Sequence, residues 1–239
     1  MKLLIGIPVL DNVNWRFFLY TTTQVARLAK EYDIAFCTPN RCSIDRARQM
    51  CVEAAFKEEA DYLLFIDDDT ILPLNAAKTL LPLLEPEDVI SASGVSFQRG
   101  HPYMPMVYKF KDFDFSDRTA ANQLVPPFPL EPFEVSANGM GVSLLKVKLL
   151  KEIPEPCFGR DGPGTEDFYF YRKASEKKFK SLVHPDVTAL HMGEPMLIGP
   201  TNADGLRGLS VSSMIPAEFL SKEDGGRAHV CEMEVPNVA

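Results

Sequence analysis

Three groups of side chains have types and spacings suited to chemistry. The first is Asp67-Asp68-Asp69, which directly follows the apolar run Tyr62-Leu63-Leu64-Phe65-Ile66. Adjacent carboxylates repel one another, and a cation among them removes that cost. Hard divalent ions such as Mg²⁺ or Mn²⁺ take oxygen ligands, often one or two carboxylates together with substrate phosphates. In an extended chain Asp67 and Asp69 point to the same side. The plainer alternative is an acidic turn that caps the next helix. The second group is Thr165-Glu166-Asp167, which follows Gly162-Pro163-Gly164. One of its carboxylates, facing a cleft, would accept a proton from a substrate hydroxyl. The alternative is that both simply occupy a helix's first turn, where the macrodipole favours negative charge. The third is His191, which ends the run Val187-Thr188-Ala189-Leu190. A neutral imidazole there would complete the coordination of a borderline ion such as Mn²⁺. The alternative is a hydrogen-bonded, partly buried histidine. His184 ranks second, because His184-Pro185 reads as a turn.

Regular elements must carry these groups. Leu3–Val9, Ile34–Cys37, Tyr62–Ile66 and Val89–Ser93 read as short apolar strands. Between them, helical spacing predicts Asn14–Lys30, with a stripe of Phe18, Leu19, Thr22, Val25, Ala26 and Ala29. It also predicts Ser43–Lys57, capped by Ser43, with Ile44, Ala47, Met50, Cys51, Ala54 and Ala55 inward, and a third helix over Leu74–Leu84. Strand alternating with helix implies βαβ units and a parallel sheet. The Asp triplet then lies at the carboxyl end of a buried strand, where open α/β sheets bind ligands.

From Gly100 the texture changes. Residues 100–132 are rich in Pro, Phe and Asp and predict short strands and loops, with a flap that shapes a second substrate's site. The aromatics Tyr103, Tyr108, Phe110, Phe113, Phe115 and Phe128 would stack on a ligand or pack a small satellite core. Tyr169 and Tyr171 carry the same two readings. Phe133–Asn138 and Gly141–Leu145 read as strands around a turn at Gly139. A short helix over Val147–Lys151, a stronger one over Thr165–Lys178 capped by Thr165, and strands over Ser181–His184 and Val187–His191 follow. Residues 195–239 read as an irregular C-terminal extension.

The chain has 239 residues and a formal net charge of −8. That balance does not suit a phosphate-backbone binder. Residues 1–60 hold 8 Lys/Arg and 7 Asp/Glu, so the acidic excess lies later, where the triplet and the Glu-Asp pair sit. No apolar run reaches the roughly 18 residues of a membrane helix. The start, Met1-Lys2-Leu3-Leu4-Ile5-Gly6-Ile7-Pro8, reads as a strand rather than a signal peptide. Five cysteines, an odd number with no CxxC spacing, predict reduced thiols and a cytoplasmic protein.

In this order the motifs resemble the GT-A-fold glycosyltransferases, and among them the family 2-like inverting enzymes. The matching features are Ile7-Pro8 with Asp11, Arg46-Ala47-Arg48-Gln49, Phe65-Ile66-Asp67-Asp68-Asp69 as a DxD motif, Asn138-Gly139-Met140-Gly141, Thr165-Glu166-Asp167 as an ED motif, and His191. The resemblance implies one Rossmann-like α/β domain over residues 1–194 with a mostly parallel central sheet. Residues 1–98 would form its nucleotide-sugar half and 99–194 its acceptor and catalytic half. It implies Mn²⁺ or Mg²⁺, a UDP- or GDP-linked sugar donor, and a carbohydrate, lipid or protein acceptor. Ile7, Pro8 and Asp11 would lie against the base, and Arg46 would help hold the nucleotide. Asp67 and Asp68 would serve the nucleotide side. Asp69, with Asp67 and His191, would bind the metal. Asp167 would be the catalytic base, with Glu166 orienting the acceptor or replacing it.

Two rivals carry different expectations. A haloacid-dehalogenase-like phosphatase also has an apolar strand followed by DxD, the first Asp being a nucleophile. There Thr or Val stands two residues after the second Asp, where this chain has Ile71, and the strand comes first rather than third. A non-catalytic nucleotide-sugar or glycan-binding protein would have no use for the Glu-Asp pair as a base.

Overall fold

The computed structural model describes residues 1–98, 103–110, 121–161, 165–192 and 197–198. The first part of the chain runs β1 (Lys2–Gly6), α1 (Trp15–Leu28), β2 (Asp33–Cys37), α2 (Ile44–Lys57), β3 (Tyr62–Ile66) and β4 (Thr70–Ile71). Next come α3 (Ala76–Leu80), prolonged by a 3-10 turn over Leu81–Leu84, and β5 (Val89–Val95). Short strands follow: β6 (Val107–Phe110), β7 (Ala121–Gln123), β8 (Phe133–Val135) and β9 (Ala137–Asn138). The remainder is β10 (Val142–Lys146), α4 (Val147–Leu150), α5 (Glu166–Glu176), β11 (Lys180–Thr188), β12 (Leu190–Met192) and β13 (Leu197–Ile198).

The central sheet has seven strands in the order β2-β1-β3-β10-β5-β11-β8. Five run the same way, while β10 and β8 run against them. Side chains alternate across the sheet, so each apolar strand feeds two cores. Leu4, Leu63, Phe65 and Leu145 pack under α2, α4 and α5. Leu3, Ile5, Leu64, Ile66 and Leu144 pack under α1 and α3. Each such fully buried side chain contributes about 1.5–3 kcal/mol through lost water contact. This is the expected α/β architecture, covered on both faces. No helix among the described residues is long and apolar enough to cross a membrane. Cys37, Cys42, Cys51 and Cys157 are free thiols.

Several expectations need correction. The inward stripe of α1 is Phe17, Gln24 and Leu28, whereas Phe18 is 65 % exposed and Leu19 is exposed too. The apolar run there is wide enough to define two faces, and the cap sets the phase: Asn14 accepts the Arg16 N–H at 2.9 Å. Ser43 and Thr165 stand at the N-cap positions of α2 and α5, but their side chains make no capping bond. The segment 133–138 is not one strand. Its β8 joins β11 and its β9 joins β6. Ser181–His184 and Val187–His191 are not two equal strands either. The nine-residue β11 absorbs His184-Pro185 in a register shift, and β12 follows.

The aromatics of the 100–132 region divide. Tyr108 and Phe110 meet Phe168 edge-on at 5.0 and 5.4 Å, and Phe128 stacks on Phe133 at 5.8 Å. Tyr103 packs in the same satellite core as Phe128. Phe113, Phe115 and the rest of 111–120, together with 100–102, lie outside the described residues, as do Gly162-Pro163-Gly164 and all of the C-terminal extension except β13.

Candidate functional site

Strand β3 delivers the Asp triplet, and three backbone links then fix it. The Asp67 N–H donates to the Gly141 carbonyl at 3.3 Å, the Thr70 N–H to the Asp67 carbonyl at 3.0 Å, and the Met192 N–H to the Asp69 carbonyl at 2.7 Å. Pairing of β4 with β12 sets His191 opposite Thr70. The loop after β1 joins in through the Leu10 N–H, which donates to Asp68 Oδ2 at 3.2 Å. Gly141 lets all this close up. A Cβ there would stand 2.9 Å from Asp67 Oδ2 and 3.3 Å from Thr70 Oγ1.

The result is a cavity of about 370 Å³, within the usual range of ligand sites. Pro8 and Leu10 form one wall, and Cys42, Ala47 and Arg48 another. Asp67, Asp68, Asp69 and His191 also line it, together with Gly139–Gly141, Glu166 and Asp167. Seven of the sequence-predicted residues therefore meet here: Pro8, Asp67, Asp68, Asp69, Glu166, Asp167 and His191.

Three do not. Arg46 points outward and pairs with Glu53 at 2.7 Å. Residues two apart on a helix face different sides, and the buried side of α2 carries Ala47, Arg48, Cys51, Val52 and Ala55. Ile7 and Asp11 line a separate groove of about 520 Å³ between α1 and the ends of β1 and β2, and Asp11 is drawn to Arg41 at 3.1 Å.

The residue missed from sequence is Arg48, only 2 % exposed. Its guanidinium holds Asp67 through one hydrogen bond, Nη2 to Oδ2 at 3.2 Å, and an ion-pair contact of Nη1 with Oδ1 at 3.0 Å. Its Nε donates to Glu166 Oε1 at 3.3 Å and lies 3.8 Å from Asp167 Oδ1. The group also rests on the Phe65 ring, 5.1 Å from its centroid. A sequence signal existed: Arg48 falls four residues after Ile44 and three before Cys51, inside the apolar stripe. Burial alone would lower its pKa, but Asp67, Asp167 and Glu166 together hold it raised. The Asp167 carboxyl is pushed well above the usual carboxylate range, chiefly by burial and then by neighbouring Glu166, with Arg48 opposing.

His191 sits between a backbone group and a carboxylate. Its Nδ1 is 2.6 Å from the Phe97 carbonyl, which can only accept, so Nδ1 carries the proton. Its Nε2 lies 3.2 Å from Asp69 Oδ2. A proton on Nε2 or a cation held by the two atoms satisfies this pair. The Thr70 hydroxyl orients Asp69 from the other side, at 3.3 Å from Oδ1. Backbone-oriented imidazole and hydroxyl-oriented carboxylate are the outer contacts that metal ligands usually have. Among the described residues there is no group of three or more His, Cys, Asp or Glu side chains arranged for a metal. A divalent ion here would therefore have the Asp69–His191 pair as protein ligands. Asp67 stands beside them with its carboxylate in ion-pair contact with Arg48.

A sheet of this strand order, covered by helices on both faces with the cavity at the carboxyl ends of β1 and β3, defines a GT-A fold. Solved structures agree. The crystal structure of A197 from STIV matches with a TM-score of 0.59 and 19 % identity, over 84 % of this chain and 92 % of that one. The crystal structure of GalNAc-T7 with UDP, GalNAc and Mn²⁺ matches with a TM-score of 0.50 and 13 % identity, over 80 % of this chain and 43 % of that one. At these identities the likeness shows the fold alone. No sequence-family description matches the chain, and no curated protein does.

Proposed function

We propose that the chain is a metal-dependent inverting glycosyltransferase, moving a sugar from a nucleotide-diphosphate donor to an acceptor hydroxyl. The observation that carries this reading is the meeting, in one GT-A cavity, of the Asp69–His191 pair and Asp167. Asp69 and His191 would hold Mn²⁺ or Mg²⁺, the imidazole nitrogen favouring Mn²⁺. The bound cation would supply Lewis-acid stabilisation of the departing diphosphate. Pro8 and the loop after β1 would face the nucleotide.

Asp167 would act as the base. Its side chain keeps 19 % exposure at the cavity, and its raised pKa strengthens it as a proton acceptor. It takes the acceptor hydroxyl's proton as the oxygen attacks, a contribution of about 10²–10⁴ in rate. Glu166, 7 % exposed and bonded to Arg48, is less free to do so. Attack opposite the leaving group inverts the anomeric carbon. The phosphatase alternative loses ground here, since it needs Asp67 as a nucleophile and Arg48 pairs with its carboxylate.

UDP-GalNAc with Mn²⁺ is the first probe, because the GalNAc-T7 structure contains UDP, GalNAc and Mn²⁺. A panel of UDP- and GDP-sugars with carbohydrate, lipid and protein acceptors follows, scored by nucleotide release. Release with at least one donor, abolished in Asp167→Asn while donor binding survives, is the expected result. Absence of nucleotide release and of donor binding across the panel overturns the reading.

A further inference from the structure

We propose that Arg48 is a positioning residue, tying the end of β3 to the start of α5 and keeping Asp67 out of metal coordination. Its kinetic consequences rest on the glycosyltransferase reading; its consequence for metal and nucleotide binding does not.

The geometry argues this in three steps. First, Arg48 is buried and belongs to neither element it joins. It reaches from α2 to Asp67 on one side and to Glu166 and Asp167 on the other, partners 19 and 118 residues away along the chain. Second, its five N–H donors form a rigid planar fork, and that fork is used in two directions at once: Nη2 donates to Asp67 Oδ2, with Nη1 in ion-pair contact with Oδ1, and Nε donates to Glu166. A lysine ammonium at the same place has the charge but not the fork, so it cannot hold both carboxylates in one geometry. Third, the partition decides which acid remains available. Glu166 is held by Nε at 3.3 Å, while Asp167 stands farther off at 3.8 Å and keeps its exposure to the cavity. Asp67 likewise lies against Arg48, with Oδ2 hydrogen-bonded and Oδ1 in ion-pair contact, leaving Asp69 as the carboxylate that faces His191.

Arg48 touches neither the reacting atoms nor the cation in this account. It acts through the side chains it holds. A displacement of 1 Å in such a constellation costs about 10²-fold in turnover.

The test is Arg48→Lys, with Asp67→Asn and Asp69→Asn beside it. In Arg48→Lys, kcat falls about 100-fold per folded molecule, while KM for the donor and the Kd for UDP with Mn²⁺ stay within threefold of wild type. For Mn²⁺ alone, followed by electron paramagnetic resonance, Asp67→Asn keeps the affinity within threefold and Asp69→Asn loses at least tenfold. A tenfold rise in KM or Kd with kcat unchanged makes Arg48 a donor ligand and overturns the proposal. So does an unchanged kcat, or a tenfold loss of Mn²⁺ affinity in Asp67→Asn. If Arg48→Lys does not fold, Glu166→Gln replaces it: its amide oxygen still accepts from Nε but the charge is gone, so the link weakens, kcat falls and the Mn²⁺ affinity stays within threefold. Wild-type protein that binds Mn²⁺ and UDP without turnover overturns the enzymatic reading only, and the binding measurements still decide this one. Wild-type protein that binds neither overturns both.

Discussion

Replacing Arg48 with Met removes the cation and leaves three carboxylates around an apolar side chain. Breaking a buried ion cluster by deleting one partner costs about 3–5 kcal/mol. The low end applies here, because Asp67 keeps 29 % exposure and water recovers part of its solvation. Near 3 kcal/mol, and at about 2–4 °C per kcal/mol for a chain of this size, the melting temperature should drop by roughly 6–12 °C near neutral pH. The pH dependence has a defined sign. In the wild type Asp167 already has a folded-state pKa above its unfolded value, so its ionisation opposes folding once pH rises through that window. Losing Arg48 removes the group that held this rise in check. The cost of Arg48→Met is therefore largest at neutral pH and shrinks as acid protonates the carboxylates. Thermal melts and urea titrations of both proteins at about pH 7.5 and about pH 4.5 measure it. A loss under 2 °C near neutrality, or a cost that grows toward acid, would refute the argument.

Other perturbations test other links. Asp167→Asn should abolish transfer yet raise the melting temperature at neutral pH, with no gain below about pH 4, where Asp is protonated folded or unfolded; melts across pH read this. Gly141→Ala forces a methyl to within 2.9 Å of Asp67 Oδ2; overpacking of this kind costs about 1–3 kcal/mol, and turnover should fall with it. Phe17→Ala should cost about 3–5 kcal/mol, while Phe18→Ala should stay within about 0.5 kcal/mol in denaturant titrations. Equal losses at the two positions would mean that the inward face of α1 is misassigned.

The sheet was legible where strands are continuous and apolar. Tyr62–Ile66 has one reading, and the triplet after it can only emerge at the strand's carboxyl end. Pro8, the Asp triplet, the Glu-Asp pair and His191 could be gathered because β-strand ends and one helix start converge on a single cavity. The phase of α1 was not legible, because Trp15, Phe17, Phe18 and Leu19 give two apolar faces and only packing selects between them. Arg48 was hidden for the opposite reason. A charged residue within an apolar stripe reads as surface until its partners are known, and those partners come from β3 and α5. Arg46, two residues earlier, has the same chemistry and the wrong side of the helix.

The insertion of β10 between β3 and β5 also bears on how the chain comes off the ribosome. β10 supplies hydrogen bonds to both neighbours and runs against them. Until residue 146 has been made, β3 and β5 each present an open edge, and such edges invite pairing with other chains. At about 5–20 residues per second, the interval between finishing β5 and finishing β10 is roughly 3–10 s. During that time the strand that carries the Asp triplet has only β1 beside it in the sheet, so chaperone demand and aggregation during synthesis should centre on this window.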